Sequence, residues 1–163
     1  MKPKPKPTGP GQESVWDYPR PPRMEPSKEH VKVVYKGKLI AETHRSIRIL
    51  ETSHAPSYYI PPEDINFEFM QSSAHTTWCE WKGQAHYYDA KVGDHVAANA
   101  AWVYPDPASP YGEIQDYLSF YPSRVECYVD GEQVKSQAGG FYGGWVTSKV
   151  VGPFKGEPGT EYW

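Results

Sequence analysis

Three segments of this chain alternate apolar and polar residues, reach a glycine-bearing turn and alternate again on the way back. Val31-Lys32-Val33-Val34-Tyr35 turns at Lys36-Gly37 and returns through Lys38-Leu39-Ile40-Ala41. Residues 76–80 turn at Trp81-Lys82-Gly83 and return through 84–90; residues 124–128 turn at Asp130-Gly131 and return through Val134. Period-2 alternation puts successive side chains on opposite faces of a sheet, and glycine supplies the positive φ that tight hairpins need. A chain made of such units folds as antiparallel sheet. Residues 47–51, 57–60, 66–70 and 96–104 read as further strands, and Val92-Gly93-Asp94 as another turn. Pro61-Pro62-Glu63-Asp64-Ile65 reads as one helical turn. Longer helical periodicity occurs once, where Ile114, Tyr117, Leu118 and Tyr121 recur at i, i+3, i+4 and i+7. Ser109 is placed to cap that helix, Pro110 to occupy its first position, and Pro122 to end it near Leu118. The expected fold is mainly β: a small antiparallel domain with one short helix and proline- and glycine-rich extensions.

The chain divides by composition into an arm, a body and an extension. Residues 1–28 form a proline-rich N-terminal arm. Its Lys-Pro alternation reads as solvated polyproline-type chain, and Trp16-Asp17-Tyr18-Pro19-Arg20-Pro21-Pro22-Arg23 reads as a strap over the body. Residues 29–135 carry the β-rich core domain. Residues 136–163 form a C-terminal extension built around Gly139-Gly140-Phe141-Tyr142-Gly143-Gly144-Trp145. The net charge of −3 argues against nucleic acid as a partner, since binders of it carry a basic face. No apolar run approaches the roughly 18 residues of a membrane span, so no membrane partner is expected. The first residues carry no apolar signal-peptide region, and Cys79 and Cys127 make no disulfide framework; a cytoplasmic protein is expected.

Longer stretches carry a family resemblance. They are Ile47-Arg48-Ile49-Leu50-Glu51-Thr52-Ser53-His54-Ala55-Pro56-Ser57-Tyr58-Tyr59-Ile60-Pro61-Pro62 and Thr77-Trp78-Cys79-Glu80-Trp81-Lys82-Gly83-Gln84-Ala85-His86-Tyr87-Tyr88. Asn99-Ala100-Ala101-Trp102-Val103-Tyr104-Pro105 and Tyr117-Leu118-Ser119-Phe120-Tyr121 complete the set. Over residues 29–135 the chain resembles the bacterial and fungal family known as domain of unknown function 427. The resemblance implies a compact β-tent-like domain, similar to methionine sulfoxide reductase B, Yippee and the drug-binding domain of cereblon. Those relatives often hold zinc on paired cysteines. Both Cys-x-x-Cys pairs are lacking here, so the zinc does not carry over. A nucleotidyltransferase label attached to the family finds neither Gly-Ser with paired aspartates nor a phosphate-cradling glycine loop before a helix.

Several residues are candidates for chemistry. Cys79 has Lys82 three residues on, and a nearby cation favours a nucleophilic thiolate; the plain alternative is a small buried packing residue. His75 lies roughly 13 Å away on an extended strand, too far for contact. Glu51 and His54 are either an acid–base pair or a polar knot holding a loop. The six histidines make no close ligand pair, so no metal site is assigned, and the cofactor is left unknown. Clustered aromatics suit either a tyrosine-rich core with a wet surface or a groove for a flat or cationic small molecule. In that reading Tyr59, Trp81, Tyr88 and Trp102 are walls, and Glu51 and Lys82 fix orientation. Arg48, His54, Cys79 and Tyr104 complete the candidate binding set. The leading expectation is a small-molecule-binding domain. The alternatives are an enzyme using Cys79 or the Glu51/His54 pair, and an interaction module that engages a protein partner through 1–28 or 136–163.

Overall fold

The computed structural model describes residues 3–139 and 142–163. Period-2 alternation becomes paired antiparallel strand in all three expected hairpins. One four-stranded sheet runs in the order Leu118–Phe120, His95–Val103, Gly83–Val92, Met70–Cys79. A second runs Glu132–Gln133, Glu126–Val129, Val31–Tyr35, Lys38–Thr43, and a three-stranded sheet runs Arg23–Pro26, Ile47–Leu50, Ser57–Tyr59. All pairings within these sheets are antiparallel.

The turns follow from backbone chemistry. Lys36 and Gly37 both take positive φ (49° and 77°), as do Asp130 and Gly131 (49° and 83°). Two consecutive left-handed residues match the twist of the flanking strands, which is why these hairpins close so tightly. Gly83 takes φ 105° and closes the turn that carries Trp81 and Lys82.

Two expected elements differ. The helix over 109–118 is reduced to a single 3-10 turn, Gly112–Ile114. Asp116 adopts φ 65°, which ends helical geometry, and Leu118 pairs with Val103 instead. Of the apolar residues read there as one helix face, Ile114 and Tyr121 are buried in an aromatic cluster with Tyr59 and Trp102, and Leu118 in the main core. Residues 66–70 are not a continuous strand. The Asn66 side chain accepts from Glu68 N and caps a 3-10 turn, Phe67–Phe69, before the edge strand begins.

The main core joins the two four-stranded sheets through Val31, Val33, Ile40, Phe120, Val129 and Trp145. Trp145, from the extension, is fully buried; its indole nitrogen donates to Phe120 O at 2.8 Å and its ring lies 4.9 Å from Tyr58. The arm and the extension meet one another. Glu13–Ser14 pairs in parallel with Val150–Val151, and Val15, Tyr18, Leu50 and Val150 form a small core of their own. No described helix is long and apolar enough to cross a membrane.

Candidate functional site

A cleft of about 300 Å³ opens between the three-stranded sheet and the sheet edged by Met70–Cys79. Its walls are set by strand phase. Tyr59 pairs with Ile47, so Tyr59, Ile47 and Ile49 share one sheet face, and that face meets the cleft. Tyr87 pairs with Trp102 across neighbouring strands, which puts both rings on the opposing wall.

The rings hold one another. Trp102 Nε1 donates to the Tyr59 hydroxyl at 2.8 Å, with the two rings perpendicular at 6.0 Å. Trp102 also packs on Tyr121 at 4.6 Å, and Tyr59 on Tyr104 at 6.3 Å. The Tyr87 hydroxyl lies 2.9 Å from Thr77 Oγ1, and His75 covers its ring at 4.6 Å. Burial pushes the hydroxyls of Tyr59 and Tyr104 far above the ordinary tyrosine range. Tyr104 is raised further by its neighbours Tyr59 and Cys79. Both phenols stay neutral and act as hydrogen-bonding groups, not bases.

The floor is a fixed imidazole. Gln137 is buried, accepts from Ala55 N at 2.9 Å and donates to Lys155 O at 2.6 Å. Those two backbone partners fix which end of its amide is nitrogen. The remaining N–H therefore points to His54 Nδ1 at 3.2 Å, so Nδ1 is the acceptor and the ring proton sits on Nε2. Burial lowers the His54 pKa to about 4, helped by the positive charges of Lys155, Arg20 and Lys82. His54 Nε2 is 3.8 Å from Glu51 Oε2, beyond hydrogen-bond length, and the same oxygen faces Arg20 Nε at 3.6 Å.

Most of the candidate binding residues converge here: Glu51, His54, Tyr59, Cys79, Trp81, Lys82, Trp102 and Tyr104 all line the cleft. Two do not. Arg48 pairs with Tyr58, one residue out of phase with Tyr59, and so faces away. It is buried against Glu13, with Nη1 to Oε1 at 3.0 Å, and also binds Glu25. Those hydrogen bonds overcome burial and raise its pKa. Tyr88 pairs with Ala101, packs on the main core and meets Phe67 at 5.8 Å. Tyr87 occupies the place expected of Tyr88.

Other wall residues lie outside the candidate binding set, although their glycine cluster reads in the sequence as able to bring a backbone close to a ligand or partner. Gly143 and Gly144 press the extension against the cleft. A Cβ on Gly143 would lie 2.1 Å from the Trp102 ring, and one on Gly144 would lie 2.3 Å from Gln137 Oε1. Their signal in the sequence is the glycine cluster itself, since only glycine permits such an approach. Tyr142, beside them, also lines the cleft and lies 5.0 Å from His54 ring to ring. Among the described residues, no group of three or more His, Cys, Asp or Glu is placed to hold a metal.

Residues 23–131 match the family described as Domain of unknown function (DUF427). The chain belongs to that family. A comparison with curated proteins gave no match. The DUF427 segment supplies the strands and most of the rings, whereas Gln137, Tyr142, Gly143 and Gly144 lie beyond its matched boundary.

Proposed function

We propose that this DUF427 domain is a receptor for a small, flat organic molecule, held in the aromatic cleft. The observation that supports the reading is an open space of about 300 Å³ whose rings are already fixed by one another. That volume is at the small end of the range for ligand sites, about 300–1,000 Å³. Walls locked before binding lose little freedom on binding, which favours affinity. Planar rings offer stacking surface, while the neutral phenols and the His54 N–H offer hydrogen bonds that fix orientation.

A thermal-shift screen of planar metabolites tests this. A ligand at 100 times its Kd adds about 2.7 kcal/mol. For a chain of this size that is a rise in Tm of about 5–10 °C. Absence of any shift across a broad set would contradict the reading.

A further inference from the structure

Lys82 is the least explained charge in the cleft. It sits in the three-residue turn between Met70–Cys79 and Gly83–Val92. The loop after Tyr104 packs over that turn, with Ala108 N donating to Lys82 O at 2.9 Å. The whole residue is only 8% exposed, and it lines the cleft. Its ammonium lies 5.8 Å from the centre of the Tyr104 ring. Among the described residues it meets no carboxylate and no hydrogen-bond acceptor. An ammonium has three donors, and this one is not fully enclosed, so its nitrogen reaches the solvent of the cleft.

Neither carboxylate of the cleft lining, Glu51 or Glu80, forms an ion pair with it. Glu51 is turned toward Arg20 and His54. Of the charged residues that line the cleft, Glu51 is held by Arg20, Glu80 is exposed, and Lys82 is the cation that faces the rings. A cationic group placed against Lys82 would meet like charge. A phosphate ester is a poor match too. One lysine supplies one positive charge, and Glu51 would repel a second negative charge.

We propose that Lys82 binds the carboxylate of a planar monocarboxylic acid, with the flat body of the acid lying among the rings of Tyr59, Trp102 and Tyr104. The assignment rests on the receptor reading above and names its ligand class. The ammonium, at the cleft wall with no side-chain acceptor competing for it, gains a charge-assisted hydrogen bond of the stronger kind.

The test compares benzoate and indole-3-acetate with their uncharged amides, with benzylamine and with phenyl phosphate, by isothermal titration calorimetry of the full chain. Both acids should bind about tenfold or more tightly than their amides, as a charged hydrogen bond predicts. In Lys82→Met that preference should vanish, and in Lys82→Arg it should return. The comparison of acid with amide in the unaltered protein holds even if a variant fails to fold. Amides or benzylamine binding as well as the acids would overturn the role of Lys82 and leave the receptor reading standing. Phenyl phosphate binding more tightly than benzoate would overturn the monocarboxylate assignment. No binding by any of these probes would overturn the monocarboxylate assignment, while the broad thermal-shift screen decides the receptor reading separately.

Discussion

A buried indole N–H needs an acceptor, and Trp102 finds it in the Tyr59 hydroxyl. Tyr59→Phe removes that oxygen and leaves the N–H unsatisfied. Urea denaturation should show a loss of about 1–3 kcal/mol, the cost of orphaning a buried donor. His54 gives a pH dependence with a definite sign. Its pKa falls from 6.5 unfolded to about 4 folded, so the unfolded chain binds the extra proton first. Stability is full above pH 6.5 and is lost as the pH falls from there toward 4. The loss attributable to His54 at pH 4.5 should be about 2–3 kcal/mol relative to pH 7, and His54→Asn should abolish that part. The salt-bridged carboxylates Glu13, Asp64 and Asp130 have lowered pKa values, so their contribution starts to fall only near the ordinary carboxylate values of 4.5 and 3.8, at the acid end of the His54 window. At this scale the aromatic content was legible, because rings in adjacent pairs had to split between faces. The phase was not. Nothing local distinguishes Tyr87 from Tyr88, or tells that Arg48 shares a face with Tyr58; only the cross-strand register decides.

Hairpins whose turns carried glycine were legible as elements because the turn chemistry is local. The helix over 109–118 was misread because its apolar spacing satisfied a helical period while the real constraint was tertiary. Leu118 bonds backbone to backbone with Ile60 and pairs with Val103, joining two sheets. The extension was harder still. Trp145 looks like a tail aromatic in the sequence, yet it is a core residue with a buried hydrogen bond. Trp145→Ala should cost about 3–5 kcal/mol in denaturant unfolding, the usual cost of deleting a large buried ring. Gly143→Ala tests the contact between extension and cleft. Its Cβ meets Trp102, so either the ring or the backbone must move. Overpacking of this kind costs about 1–3 kcal/mol, and the displaced ring should also quench ligand binding.

At the scale of the molecule, the family segment and the extensions form a single structure around one cleft. The strands bring rings from distant parts of the chain to face each other, and the residues after 136 close the floor and one side. Two cysteines report on that space independently. Cys79 is half-buried in the cleft wall, whereas Cys127 lies in the core with its thiol pKa raised by burial. The most direct measurement is the rate of Cys79 carbamidomethylation, followed by mass spectrometry, with and without a saturating planar ligand found by thermal shift. Occupancy of the cleft predicts at least several-fold protection of Cys79, with Cys127 unreactive in both samples until the protein is denatured. A ligand that raises the Tm yet leaves the Cys79 rate unchanged would contradict the account.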